Sequence, residues 1–120
     1  MRQQPHPDVT FDDVERVVRR DFPSGEFDTV MAVLKQYGVE KWQRECARVQ
    51  LAVLKLADGD LDKLQKVVDV AKTDYRDVVL PAEYPEYRRR MSSSARKLEG
   101  VERDQAVARD GEQYEAWLKR

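Results

Sequence analysis

The strongest constraint on the fold is a three-residue interruption, Asp58-Gly59-Asp60, between two long helical patterns spanning residues 42–79. In the first arm Trp42, Cys46, Val49, Val53 and Leu56 recur at steps of three and four and so share one helix face. Ala47, Leu51 and Leu54 form a second apolar line beside it. A stripe this wide exceeds what a surface helix carries and predicts a central helix touched on more than one side. Burying one of its leucines is worth roughly 1.5–3 kcal/mol against leaving it in water. Gly59 suits the left-handed residue that closes a helix, and Asp60 suits an N-cap whose carboxylate accepts from free amides. The second arm places Leu61, Leu64, Val68, Ala71, Tyr75 and Val78 at helical spacing, with Pro81 expected to end it. So short a connection predicts antiparallel neighbours.

The flanks add two shorter helices. Thr10 has the character of an N-cap, with Asp13 three residues on in a weak capping box. Phe11, Val14, Val18 and Phe22 then form one face, opposite Glu15, Arg16 and Arg19, and Pro23 stops the run. Ser24 is expected to cap the next helix, whose apolar face is Phe27, Val30, Met31, Leu34 and Tyr37, with Gly38 as terminator. Residues 1–9, broken by Pro5 and Pro7, read as a flexible N-terminal arm. Residues 10–80 then form the helical bundle. Residues 81–120 read as a linker and a helical extension: Tyr84, Pro85 and Tyr87 break the chain, Leu98, Val101 and Ala108 offer a thin apolar face, and Gly111 interrupts it. The expected fold is all-α, a compact bundle of about four helices with a charged C-terminal helical extension.

Charge narrows the function classes. The chain has 120 residues, 38% of them charged, and a formal net charge of −1, so no global field favours nucleic acid or an anionic membrane. The balance is uneven: residues 1–87 carry a net −4 and residues 88–120 a net +3. No apolar run approaches the ~20 residues a membrane span needs. The N-terminal stretch lacks the apolar core of a signal peptide, and the single cysteine, Cys46, fits a reducing compartment. Together these readings place the protein in the cytoplasm, away from membranes.

Candidate chemistry is sparse. Asp58, Asp60 and Asp62 alternate as calcium-loop ligands do, but Lys63 stands where that loop needs glycine, so helix capping explains them better. Cys46 and His6 make neither a zinc site nor a nucleophile–base pair, and Cys46 is expected to be a buried thiol. Paired carboxylates such as Asp12 with Asp13, Glu83 with Glu86 and Asp74 with Asp77 read as solvated helix faces. No catalytic, cofactor-binding or metal residue is therefore assigned, and no cofactor is expected. Two sets remain as binding candidates. Arg88, Arg89 and Arg90, with Arg96 and Lys97 nearby and Tyr84 and Tyr87 available for stacking, form the nucleic-acid candidate, diluted by Glu83, Glu86, Glu99 and Glu102. Tyr114, Trp117 and Leu118 form an apolar anchor for a protein partner, for self-association, or for the chain's own core.

The run Arg48-Val49-Gln50-Leu51-Ala52-Val53-Leu54-Lys55-Leu56-Ala57-Asp58-Gly59-Asp60-Leu61, followed by Asp74-Tyr75-Arg76-Asp77-Val78 and Ala82-Glu83-Tyr84-Pro85, resembles a group of small uncharacterised bacterial helical proteins. The resemblance covers roughly residues 22–87. It implies a helical hairpin and a bacterial source and carries over no functional residue. The resulting expectation is a non-enzymatic protein–protein interaction or regulatory module of the bacterial cytoplasm with an unidentified protein partner. The alternative is a small nucleic-acid-associated regulator using residues 88–97.

Overall fold

Thr10 opens the first helix through a complete capping box. Its hydroxyl accepts from the Asp13 amide at 3.4 Å, and its own amide donates to the Asp13 carboxylate at 3.0 Å. The computed structural model that shows this describes residues 8–43, 45–93 and 100–120, which form seven α-helices and no strand. They are α1 (Phe11–Asp21), α2 (Phe27–Leu34), α3 (Cys46–Ala57), α4 (Leu61–Thr73), α5 (Arg76–Glu83), α6 (Pro85–Ser93) and α7 (Gly100–Lys119). Most of the expected arm, together with His6, Arg96, Lys97 and Leu98, lies outside the described residues.

The central helix is α3. Its residues 49–54 are buried in unbroken sequence, and it packs against α1, α4 and α5. A helix enclosed on all sides needs apolar side chains all round, which is what its doubled stripe encodes. The hairpin turn closes with Asp58 and Gly59 both left-handed, φ 52° and 80°, and the Asp58 amide donates to the Leu54 carbonyl at 3.1 Å. Asp60 then caps α4, its carboxylate accepting from the Lys63 amide at 3.0 Å.

Several boundaries differ from the periodicity. Trp42 is not on α3. It sits in a turn, because the buried Gln43 side chain accepts from the amides of Gly38 at 2.7 Å and Glu40 at 3.0 Å and folds the chain back on itself. Phe11 is on α1 but faces outward, and Val17 takes the inward position beside Val14 and Val18. Ser24 begins a single 3-10 turn, Ser24–Glu26, so α2 starts only at Phe27, without a side-chain cap. Gly38 lies beyond the end of α2, in the loop, at φ 119°.

The second arm divides at Asp74. That carboxylate accepts from the Arg76 amide at 3.1 Å, a local bond that competes with helix continuation. Tyr75 and Val78 therefore follow the break, and Val78 is buried on α5. Pro81 does not terminate a helix but lies inside α5. The carbonyl it leaves without a helical donor belongs to Asp77, an exposed residue that water can serve.

The described residues after α5 are largely helical, where the sequence suggested a broken linker. Pro85 occupies the first position of α6, where its missing N–H costs nothing. Gly111 lies within α7, which runs through it. The buried stripe of α7 is Ala106, Asp110, Tyr114 and Leu118, at steps of four, whereas Val101 and Ala108 face solvent. Tyr114 and Leu118 belong to the same core as α3.

Candidate protein-binding surface

The backbone of residues 34–40, at and after the end of α2, is bonded by two buried glutamines. Gln43 ties Gly38 to Glu40, as above. Gln50 reaches out from α3 and donates to the carbonyls of Leu34 at 3.2 Å and Tyr37 at 3.3 Å, satisfying groups at the end of α2. Within this loop Tyr37 turns into the core, whereas Val39 and Trp42 turn outward. Trp42 is 52% exposed and Val39 73%, and Phe11 at the start of α1 is 56% exposed. A hydrogen-bonded loop that presents an aromatic to water stands out, since large apolar side chains repay burial.

Phe11 lines two shallow grooves, and Gly38, the residue before Val39, lines the second of them. One, of about 430 Å³, is floored by Val9, Phe11, Cys46 and Ala47 and edged by Asp8, Glu45 and Arg48. The other, about 390 Å³, shares Phe11 and Cys46 and is completed by Lys35, Tyr37, Gly38 and Gln50. Cys46 is consequently half-buried at a groove wall rather than enclosed, its thiol donating to the Gln43 carbonyl at 3.6 Å. Glu45 precedes α3 in the left-handed region at φ 51°, and α3 has no side-chain cap. Local rules are thus broken together at this corner: an outward aromatic, an uncapped helix and a non-glycine left-handed residue.

Behind the groove lies a buried ion pair. Arg48 donates to Glu83 through two bonds, of 2.7 and 2.8 Å, and Glu83 is almost fully enclosed. The hydrogen bond to Glu83 pushes the Arg48 guanidinium well above its ordinary value, against the opposing effect of burial. Arg48 also contacts Glu45 at 3.1 Å. Tyr114 is 1% exposed, and its hydroxyl has no hydrogen-bond partner among the described residues. Burial, reinforced by the Glu83 charge, pushes that phenol above its ordinary value.

The binding candidates read from sequence sit elsewhere. Tyr114 and Leu118 are buried in the chain's own core and Trp117 is partly buried against it, its ring 5.6 Å from that of Tyr114. The end of α7 is clamped by α1: Arg16 donates to the Leu118 carbonyl at 2.8 Å and Arg20 to that of Trp117 at 2.7 Å. The Arg20 guanidinium also lies over the Trp117 ring at 5.2 Å. In this conformation a partner reaches the anchor only by displacing α7. On α6, Arg88 and Arg89 are exposed, while Arg90 is tied to Glu86 at 2.8 Å, which Arg109 also contacts at 2.7 Å. The structure does not bring the tyrosine–tryptophan–leucine anchor and the arginine run into one site.

The corner was illegible in sequence because Phe11 and Trp42 fit helical spacing and so read as core. The one available signal was Gly38 followed at once by Val39, an apolar residue in a turn. Asp110, discussed below, gave no signal at all. Among the described residues no helix is long and apolar enough to cross a membrane, and no three His, Cys, Asp or Glu side chains are grouped to hold a metal ion. Comparison with family models, curated proteins and solved structures finds no match.

Proposed function

We propose that this chain is a non-enzymatic protein–protein interaction or regulatory module of the bacterial cytoplasm, a helical bundle that presents its Phe11–Val39–Trp42 corner to a protein partner. The observation that carries the reading is the outward placement of Phe11 at two grooves, with Val39 and Trp42 also turned to solvent on the neighbouring loop, whose backbone Gln43 and Gln50 bond. Exposed apolar patches rimmed by polar residues mark contact sites more often than they occur by chance. A preordered surface also spends little conformational entropy on binding. The nucleic-acid alternative has less to support it, because Glu86 occupies Arg90 and leaves the basic run shortened.

The test is affinity capture from a bacterial lysate on immobilised full-length chain and on a Phe11→Ser/Trp42→Ser variant, with helix content checked by circular dichroism. Both side chains are more than half exposed, so the variant is expected to fold. The expected result is a set of proteins retained by the native chain and lost with the variant. Identical retention by both, or no retention by either, overturns the proposal.

A further inference from the structure

We infer that the occupant of this corner is a short segment carrying a bulky apolar anchor beside Lys or Arg. The inference rests on the reading of the corner as the contact surface and adds what the partner must look like. Size argues first. Even taken together, the exposed fractions of Phe11, Val39 and Trp42 amount to only on the order of 300 Å² of apolar surface. A standard interface takes roughly 800 Å² from each partner, so this corner is too small to hold a second copy of the chain by itself. It is large enough for one or two side chains of a linear segment.

Charge then selects the segment. Around the groove floored by Val9, Phe11, Cys46 and Ala47 stand the carboxylates of Asp8 and Glu45 and the guanidinium of Arg48. Arg48 is already committed: its two shortest bonds go to Glu83, and Glu45 shares what remains. Among the described residues that line this groove, Asp8 and Glu45 are therefore the exposed carboxylates, beside a guanidinium that Glu83 already neutralises. The start of α3 opposes this with a helix-dipole charge of only about +0.5. The carboxylates win, and a cationic side chain is favoured at that edge. Lys35 lines the second groove and not the first, which leaves the preference directional. An arriving basic residue gains Asp8 and Glu45 without displacing the Arg48–Glu83 pair.

Fluorescence anisotropy with labelled synthetic peptides tests this on the full-length chain. The probes are an amphipathic peptide with a Leu/Phe face flanked by Lys, the same face flanked by Glu, and a Lys-rich peptide without the apolar face. Exposed charge pairs are individually weak, so the Lys-flanked peptide is expected to bind about tenfold tighter than the Glu-flanked one at low salt. The ratio should fall toward one at high salt and in the Asp8→Asn/Glu45→Gln variant. The Lys-rich peptide without anchors should bind at least as weakly as the Glu-flanked one.

Equal affinity for the two anchored peptides overturns the inference while leaving the corner as a contact surface. Binding untouched by both the Asp8→Asn/Glu45→Gln and the Phe11→Ser/Trp42→Ser changes overturns it by placing the peptide elsewhere. Light scattering that finds a dimer dissolved by the Phe11→Ser/Trp42→Ser change overturns it in favour of a second copy.

Discussion

Asp110 gives the sharpest test of how the C-terminal helices are attached. It lies midway along α7, 1% exposed, and both its oxygens accept backbone amides of α6: Glu86 at 2.8 Å and Tyr87 at 2.9 Å. Pro85 has no N–H, and the Arg88 amide is satisfied by the Tyr84 carbonyl at 2.9 Å. One carboxylate thus completes the start of α6 from 23 residues downstream of Tyr87. Asp110→Ala removes two charge-assisted bonds and leaves two amides short of acceptors. Losing a local cap costs about 0.5–2 kcal/mol, and stranding a buried donor costs roughly 1–3 kcal/mol. Water can reach these part-buried amides and recover some of this, so the expected loss is about 2–3 kcal/mol. Asp110→Asn keeps one acceptor and should lose about half as much. Urea denaturation measures both values, and the Asp110→Ala midpoint should fall by roughly 8–12 °C in a thermal scan. Hydrogen exchange should show α6 losing protection before α3. A loss under about 0.5 kcal/mol, or unchanged exchange at Glu86 and Tyr87, would refute the view that this carboxylate holds α6 in place.

Three further outcomes follow from the core. Glu83→Ala leaves Arg48 without its main partner and should cost about 3 kcal/mol in urea denaturation, whereas Arg48→Met with Glu83→Leu should recover most of that loss. Tyr114→Phe removes an unpartnered buried hydroxyl and should leave the protein as stable or up to about 1 kcal/mol more stable near neutral pH. Burial holds the Tyr114 phenol protonated in the fold while the unfolded chain releases that proton near pH 10, so native stability should decline above about pH 10. The phenylalanine variant should show a shallower decline across that range in pH-dependent unfolding. Gly59→Ala forces a left-handed alanine at φ 80° and brings its Cβ within 3.1 Å of the Asp21 carbonyl, so it should cost about 1–2 kcal/mol by denaturation.

Legibility followed the range of the interactions. The Thr10 capping box, the Asp60 cap and the breadth of the α3 stripe depend on residues within a turn or two, and periodicity reports such features directly. Trp42 and Phe11 misled because helical spacing says which residues share a face but not whether that face meets a neighbour, and Gly111 misled because packing overrides its low helix propensity. Trp42 continues the α3 pattern in register, and only the side chain of Gln43 turns the chain aside before it. Arg16 read only as part of the face opposite the apolar one and Arg20 gave no signal, yet both cap a helix about a hundred residues away.

The order of apolar side chains alone determined that this chain is helical and that α3 lies at its centre, because a stripe covering most of a helix cannot be left in water. Pairing across the fold decided the rest. Asp110 completes α6, Glu83 fixes Arg48, and the two glutamines hold an aromatic loop toward solvent. Apart from the local bonds of Gln43 to Gly38 and Glu40, these join residues far apart in sequence, and their strength comes from burial that exists only once the helices have packed.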